Sequence, residues 1–471
     1  MMNTMMRRTL TALLALVMVF GLAATGVQAA PAKAQLTFEK LDSVTADLIQ
    51  SEAVIEKNEP LHADTDMVRV MIVLEDEPAI GKLKGTGNFT TDLDAVNYRA
   101  QLQAKQEKVA DAISTQALKG QELDVVWNLT LMANAISANV TYGSIDEIAR
   151  VQGVERVYLE TVYYPQTAQT NNIVAQEMTG ANVAQNSYGY YGTGTSVAVV
   201  DTGIDPDHQS FSGEGFEYAL AQNAAAAGME LEEYIESLDL IDVEHIESVL
   251  SQLNVGKRFP NVTAEELYVN AKMPFNFNYV DGDFNVSHDF DDMGSHGSHV
   301  AGIAAANRFI PTGKVCDLDG DGDCDVDDAQ KLMDHVILGT EAENLYTADL
   351  NTDGVIDEKD VTAILDAVKG DFFADAAELV GVTGVAPDAQ ILSMKVFGVT
   401  GGAYSSDYMA ATEDAMILGC ASVNLSLGGA NPGFATAHEI EPYDTAYIDG
   451  LMDRLADSGI VMCTSAGNSG N

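Results

Sequence analysis

The feature that most constrains the fold is a series of short apolar runs in the second half of the chain. The four runs lie at residues 196–201, 389–396, 422–427 and 459–464. Helical patterns at 407–418 and 444–457 precede the last two runs. Such runs are typical of strands buried on both faces, and strands that alternate with helices form parallel sheets. The sequence therefore predicts an α/β domain with a doubly wound, mostly parallel sheet. Functional residues should gather at the carboxyl ends of its strands.

A smaller unit of another kind precedes this domain. Its pattern is strand, helix, two paired strands, helix and strand, at residues 67–74, 95–118, 125–131, 135–140, 144–151 and 154–159. Ser144 and Glu147 have the spacing of a helix capping box. The pattern predicts an α+β domain at 66–165, a size typical of one domain.

The first 29 residues have the pattern of a signal peptide. Arg7 and Arg8 precede an apolar run at 10–24, and small residues follow at the usual cleavage spacing. The run is shorter than the ~20 residues that a membrane span needs, and no later stretch is apolar enough. We therefore expect export, with a polar segment at 30–65 next in the chain.

Composition and charge limit the partners of the chain. Hydrophobic residues make up 46% of the 471 residues, enough for a large core. The net charge is −47, which argues against binding to nucleic-acid phosphates. Four cysteines do not make a disulfide framework in a chain of this size. Cys316 and Cys324 flank an acidic loop and are candidates for pairing, whereas Cys420 and Cys463 lie in strand-like runs and are predicted to be buried thiols.

Three short motifs contain the candidate catalytic residues. Asp201 lies in Val-Val-Asp-Thr-Gly at the end of a predicted strand, His296 in His-Gly-Ser-His-Val-Ala-Gly, and Asn468 in Ser-Ala-Gly-Asn-Ser-Gly. Each motif alone is ambiguous. Asp-Thr-Gly also occurs in aspartic proteases, but their chemistry needs two such carboxylates and the sequence has one Asp-Thr-Gly.

Together and in this order, the motifs resemble those of the subtilisin-like serine proteases (subtilases, peptidase S8 family). The resemblance implies that Asp201 orients and stabilises an imidazolium and that His296 is the general base and then the general acid. Asn468 would donate its amide to the oxyanion. His299 matches the second histidine of the family motif, which we interpret as structural.

The resemblance extends to the substrate-binding segments and to the N-terminal unit. Gly402 lies where one substrate-binding edge is expected, and Ser426 and Gly428 lie on the opposite edge. The unit at 66–165 resembles an I9-type inhibitory propeptide, with cleavage expected at 163–175. The long stretch between Asp201 and His296 resembles that of the cell-envelope proteinases of Gram-positive bacteria.

The serine nucleophile of the family lies in a Gly-Thr-Ser turn well beyond the Asn motif. Gly194-Thr195-Ser196 precedes the Asp201 strand and does not match that place. We therefore interpret residues 166–471 as an incomplete protease domain that ends before its nucleophile and is inactive by itself.

Two acidic loops, which begin at Asp317 and Asp349, predict calcium binding. Both place oxygen ligands at loop positions 1, 3, 5 and 12 and glycine at position 6, which suits calcium. The candidate ligands are Asp317, Asp319, Asp321, Asp323, Asp328, Asp349, Asn351, Asp353 and Asp360. The repeat of loop and helix, with Asp at position 12, resembles a type I dockerin inserted at 312–371. The resemblance implies Ca²⁺ and a cohesin module as partner, although the insert could also be only a calcium-dependent brace.

The leading functional hypothesis is a secreted or cell-envelope serine endopeptidase precursor of a Gram-positive bacterium. Its partners would be polypeptide substrates and its own propeptide. One alternative is a catalytically silent subtilase scaffold that displays a calcium-dependent dockerin to a cohesin. Another is that the N-terminal unit is an inhibitor or chaperone acting in trans.

Overall fold

The computed structural model describes 62–83, 89–165, 179–287, 290, 291, 293–311, 318, 326–340, 348, 356–367, 373–375, 383–399, 401–428 and 459–465. All of these residues belong to one unit, residues 59–471. The predicted signal peptide, Asn468, the helix at 444–457 and the cysteines 316 and 324 lie outside the described residues. So do seven of the nine predicted calcium ligands, all except Asp328 and Asp360.

Strands and helices alternate in the predicted α/β domain, as the sequence indicates. The strands are β1 (Met67–Leu74), β2 (Asp124–Leu129), β3 (Ala135–Thr141), β4 (Val154–Leu159), β5 (Val162–Pro165), β6 (Ser196–Asp201), β7 (Phe275–Asn278), β8 (Phe309–Pro311), β9 (Phe373–Asp375), β10 (Gln390–Lys395), β11 (Ala403–Tyr404), β12 (Ser422–Leu425), β13 (Leu427–Gly428) and β14 (Val461–Thr464). The helices are α1 (Ala79–Lys82), α2 (Leu93–Gln116), α3 (Ile145–Ile148), α4 (Ala181–Tyr188), α5 (Gly213–Ala227), α6 (Leu231–Glu236), α7 (Val243–Val249), α8 (Asn254–Arg258), α9 (Ala264–Leu267), α10 (His296–Ala305), α11 (Val326–Leu338), α12 (Glu358–Ala367) and α13 (Ser405–Ile417).

A five-stranded sheet forms the centre of the α/β domain, in the order β14-β12-β6-β10-β7. All of its neighbouring strands are parallel, which confirms the predicted parallel sheet. Every residue of β10 is buried, as expected for a strand covered on both faces. In this register Lys395 lies beside Asp201 at the carboxyl ends of β10 and β6. The sheet therefore brings polar side chains together at one edge.

The N-terminal domain has a four-stranded antiparallel sheet in the order β2-β3-β1-β4. The helix α2 begins at an N-cap, because the Asp92 side chain accepts hydrogen bonds from the amides of Asp94 at 2.9 Å and Ala95 at 3.4 Å. The strand bounds predicted for β1 and β4 are confirmed.

The predicted capping box at Ser144 is wrong. The Ser144 hydroxyl instead donates a hydrogen bond to the carbonyl of Thr141 at 2.6 Å. A 3₁₀ turn at Tyr142–Ser144 therefore precedes α3, and the serine is used in that turn.

The predicted dockerin-like insert is flanked by a two-stranded antiparallel ribbon. Pro311 in β8 pairs with Phe373 in β9, so the chain leaves and rejoins the α/β domain at one place. Within the insert, α11 and α12 share a small core that includes Leu318, Leu332 and Ile364. The helices begin at Val326 and Glu358, and Asp328 and Asp360 lie in their first turns. Acidic side chains are favourable there because the amide ends of a helix carry partial positive charge.

The two described cysteines differ in exposure. Cys420 is a buried free thiol, and burial raises its pKa to about 12. Cys463 is exposed, so its predicted burial is wrong. It lies in β14, an edge strand, where an apolar pattern does not ensure cover on both faces. Among the described residues, no helix has the length and apolar character to cross a membrane.

Candidate active site

Asp201 ends β6 and is buried at the carboxyl edge of the parallel sheet. One carboxylate oxygen, Oδ1, accepts a hydrogen bond from the amide of Thr202 at 2.7 Å and lies 2.7 Å from Nδ1 of His296. The fold thus brings together two residues that are far apart in the sequence and were both predicted from motifs. A carboxylate can only accept, so Nδ1 of the imidazole is the protonated nitrogen in this contact.

His296 begins α10, with 18% of its side chain exposed. The hydrogen bond to Asp201 raises the pKa of His296, while burial acts in the opposite direction. With Nδ1 donating to Asp201, the neutral imidazole has Nε2 available to accept a proton. This geometry suits a general base whose partner stabilises the imidazolium.

Two glycines allow the strand end and the helix start to come this close. A Cβ on Gly297 would lie 2.2 Å from the carbonyl oxygen of Gly203. Gly203 has φ +103°, and a Cβ there would lie 1.9 Å from the carbonyl oxygen of Val286. The hydroxyl of Thr202 accepts from the amide of Gly297 at 2.9 Å. The glycines in the two motifs therefore position the imidazole through close backbone contact.

Lys395 is a site residue that the sequence analysis missed. It is fully buried at the end of β10, its ammonium donates to the carbonyl of Thr202, and it forms an ion pair with Asp291 at 2.9 Å. It therefore holds the backbone directly after Asp201. The available signal was a lysine at the end of an apolar strand, where an unpaired charge would be costly.

The two predicted substrate-binding edges both pair with a segment of the chain itself. Strand β5 lies between β11 and β13 and is antiparallel to both. Tyr163 pairs with Ala403 on one side, and Tyr164 pairs with Gly428 on the other. Gly402 precedes β11, and Ser426 precedes β13, where its hydroxyl oxygen lies 2.9 Å from Nδ2 of Asn424. Both edges are therefore paired through main-chain hydrogen bonds with an extended segment of this same chain.

The segments that contain Asp201 and His296 match a known protein family. The subtilase family matches residues 192–342 and 354–471, which together are more than half of the chain. The chain belongs to the subtilase family. Both His296 and Asp201 lie within the matched residues, as does Asn468, which is outside the described residues.

Several curated proteins resemble this subtilase. The PI-type proteinase of Lactococcus lactis subsp. cremoris is 26% identical over 395 residues, which are 82% of this chain and 15% of that protein. The PII-type proteinase of Lacticaseibacillus paracasei gives the same four values. The subtilisin-like protease SBT2.1 of Arabidopsis thaliana is 25% identical over 210 residues, 43% of this chain and 22% of that protein. The chain thus spans about 15% of the length of the bacterial proteinases.

Among solved structures, the epidermin leader peptide processing serine protease of Staphylococcus aureus matches with a TM-score of 0.39 and 13% identity. The match covers 86% of this chain and 61% of that one. A superposition this loose carries no structural argument.

Substitution of Gly297 by alanine should disrupt the site, because the new Cβ meets the backbone of Gly203. We expect Gly297→Ala to lower the free energy of unfolding by about 1–3 kcal/mol. The matched control is Gly302→Ala in the same helix, where a Cβ meets nothing within 4 Å. It should stabilise by up to about 1 kcal/mol. Urea unfolding of both variants measures the difference, and equal effects would show that the close approach is unimportant.

Substitution of Asp201 by asparagine should lower the pKa of His296, since the hydrogen bond to Asp201 is the largest cause of its raised value. A raised pKa stabilises the folded state fully below the unfolded value of 6.5, and this contribution is lost as pH rises through the folded value. NMR titration of the imidazole, assigned with His296→Gln, measures the pKa. Asp205→Asn in the same loop is the control, and an unchanged midpoint in Asp201→Asn would contradict the prediction.

Proposed function

We propose that this chain is the N-terminal portion of a secreted serine endopeptidase precursor that uses the subtilisin-type mechanism. The observation that carries the proposal is the contact of 2.7 Å between His296 and the buried Asp201, at the carboxyl edge of a parallel sheet. The subtilase match and the proteinase relatives support it. A location outside the cell or at the envelope of a Gram-positive bacterium is part of the proposal, in keeping with the predicted signal peptide and the lactococcal relatives.

In this mechanism His296 takes the proton of a serine hydroxyl at Nε2 while Asp201 stabilises the resulting imidazolium. The serine attacks the substrate carbonyl, and the amide of Asn468 donates to the oxyanion. His296 then gives the proton to the leaving amine. We assign the serine to sequence that follows Asn471 in the full protein. The much greater length of the bacterial relatives supports that assignment.

The N-terminal domain is proposed to be the inhibitory propeptide of this protease. Strand β5 occupies both edges that an extended substrate would need, as in recognition by strand addition. A buried carboxylate on α13 provides a second attachment. Glu413 accepts hydrogen bonds from the amides of Leu131 at 2.8 Å and Met132 at 2.7 Å. Release of the domain would therefore require the pairing of β5 and the hydrogen bonds to Glu413 to be broken.

Calcium is proposed to bind the loops of the insert through the ligands predicted from the sequence. Asp328 and Asp360 occupy the last position of each loop, and their side chains are 1% and 0% exposed. Asp328 accepts from the amide of Leu318 at 2.6 Å, which joins the two ends of the first loop. Buried carboxylates of this kind fit a hard cation with oxygen ligands. Among the described residues, no group of three or more acidic, histidine or cysteine side chains could hold a metal ion.

Binding of a cohesin module by residues 312–371, and a catalytically silent scaffold, stay predictions. So does an action of the N-terminal domain in trans. The pairing of β8 with β9 supports an insert that is attached at one point, which suits either a display role or a brace.

The proposed activity is tested with the chain extended by the sequence that follows Asn471. Hydrolysis of a fluorogenic protein substrate should be blocked by a serine-directed sulfonyl fluoride. His296→Ala and Asp201→Ala should lower kcat by ~10⁴ or more, and Asn468→Ala by ~10²–10³. His335→Ala in α11 is the control and should retain activity. Full activity of His296→Ala would refute the proposal. The 471-residue chain, measured in parallel, should show no hydrolysis of this substrate.

Removal of calcium should destabilise the protein. A cation at 100 times its dissociation constant stabilises by about 2.7 kcal/mol, so chelation should lower the melting temperature by roughly 5 °C or more. Asp328→Asn and Asp360→Asn should reduce this shift, whereas Asp327→Asn, the exposed neighbour, should keep it. Differential scanning calorimetry with and without chelator measures the shift. An equal shift in all three variants would count against the loops.

A further inference from the structure

The sole tryptophan of the chain links the N-terminal domain to the protease part. Trp127 lies in β2, the edge strand of its sheet, and its side chain is 1% exposed. Its indole N–H donates to Oδ1 of Asp407 at 2.8 Å, and the guanidinium of Arg258 lies 4.3 Å from the ring centroid. The rings of Phe259 and Tyr279 lie 6.4 Å and 5.7 Å away. We call Arg258, Phe259, Tyr279 and Asp407 the tryptophan socket.

The socket provides what a buried indole needs. Its aromatic walls cover the ring, its cation lies over the ring face, and its single acceptor meets the single donor of the indole. The acceptor is itself fixed, because Asp407 also accepts from Arg69 at 3.1 Å and from the amide of Tyr404 at 3.3 Å. Tyr404 belongs to β11, so the socket is joined directly to one substrate-binding edge.

Three of the four socket residues, all except Asp407, belong to the long stretch between the Asp201 and His296 motifs. The same stretch contacts the N-terminal domain at a second point, where Arg99 of α2 donates to the carbonyl of Gln252 at 2.8 Å. Arg258 and Phe259 follow Gln252 closely in the chain and turn back onto Trp127. Residues 252–259 therefore contact this domain at two points, α2 and Trp127, independently of β5.

We propose that the tryptophan socket is a binding site for an indole side chain by which the protease selects its own N-terminal domain. The occupant is Trp127, and Arg258 and Phe259 provide the selectivity. This inference rests on the proposed role of the domain as an inhibitor and names the contact that makes it self-specific. Another polypeptide would have to present an indole at the same point to displace it.

The experiment uses the full chain with a recognition sequence for a specific protease placed between residues 165 and 179. After cleavage the complex is diluted, and dissociation of the N-terminal domain is followed by tryptophan emission. Trp127 is the only tryptophan of the chain, and its fluorescence shifts to the red when the side chain enters water. Arg258→Ala should weaken the association about threefold to thirtyfold. Trp127→Phe should weaken the association about tenfold to a hundredfold. Because this variant has no tryptophan, its association is measured by co-elution in size-exclusion chromatography.

The matched control is Ile113→Ala, which truncates a buried side chain in the core of the N-terminal domain itself. It should lower the stability of the domain and leave its emission in the complex unchanged. Unchanged dissociation in both Arg258→Ala and Trp127→Phe would overturn the proposal.

Chemical rescue isolates the hydrogen bond to Asp407. Trp127→Gly should abolish co-elution, and added indole should restore it, whereas 1-methylindole, which has no N–H to donate, should not. Equal rescue by both compounds would overturn the role of Asp407. If Trp127→Gly does not fold, the dissociation of Arg258→Ala, measured by the emission of Trp127, decides whether the socket proposal holds.

Failure of this inference differs from failure of the proposed function. If the cut domain stays associated but does not inhibit the extended chain, the inhibitor role is wrong while the socket stands. If the domain inhibits and the socket variants bind as tightly as the parent chain, the socket is wrong and the inhibitor role stands.

Discussion

The structure depends on one fully buried helix. Every residue of α13 is buried between the N-terminal domain and the parallel sheet, although the helix carries Asp407, Glu413 and Asp414. Buried carboxylates are costly unless they are paired, and each of these three accepts at least two hydrogen bonds. Burial raises the pKa of Asp414 to about 7, while the donors around it act in the opposite direction. The positions of the neighbouring elements are therefore constrained, because they must supply hydrogen-bond donors to these three carboxylates.

The carboxylates on α13 differ in what they contact. Asp414 accepts from Asn254, Val255 and Tyr279, all on the protease side. Asp407 and Glu413 take most of their donors from the N-terminal domain. Two carboxylates of α13 thus face the N-terminal domain. If that domain is released as we propose, charged groups at this face are favourable, because an exposed apolar patch promotes aggregation.

Local sequence patterns predicted the parallel sheet, the strands of the N-terminal sheet and the two residues Asp201 and His296. The strands at 67–74, 154–159 and 196–201 were recognised because their apolar residues are continuous or alternate within the length of one strand. Asp201 and His296 were found because glycines flank them, and the structure explains those glycines by backbone contact. Lys395, Trp127 and Asp407 were missed because their partners lie 193 and 280 positions away, and no local pattern identifies which partner a residue meets. Ser144 has the spacing of a capping box, but its hydroxyl donates to the carbonyl of Thr141 instead.

The pairing of Pro311 with Phe373 has a consequence for how such a chain is assembled. Because the two ends of the intervening segment already lie side by side in a hairpin, the entropy of closing that loop does not depend on what the loop contains beyond its length. The segment between the two strands can therefore vary in length or content without a change in the register of the parallel sheet. Its small core includes Ile310 of β8, so the ribbon is also the place where the insert packs against the rest of the chain.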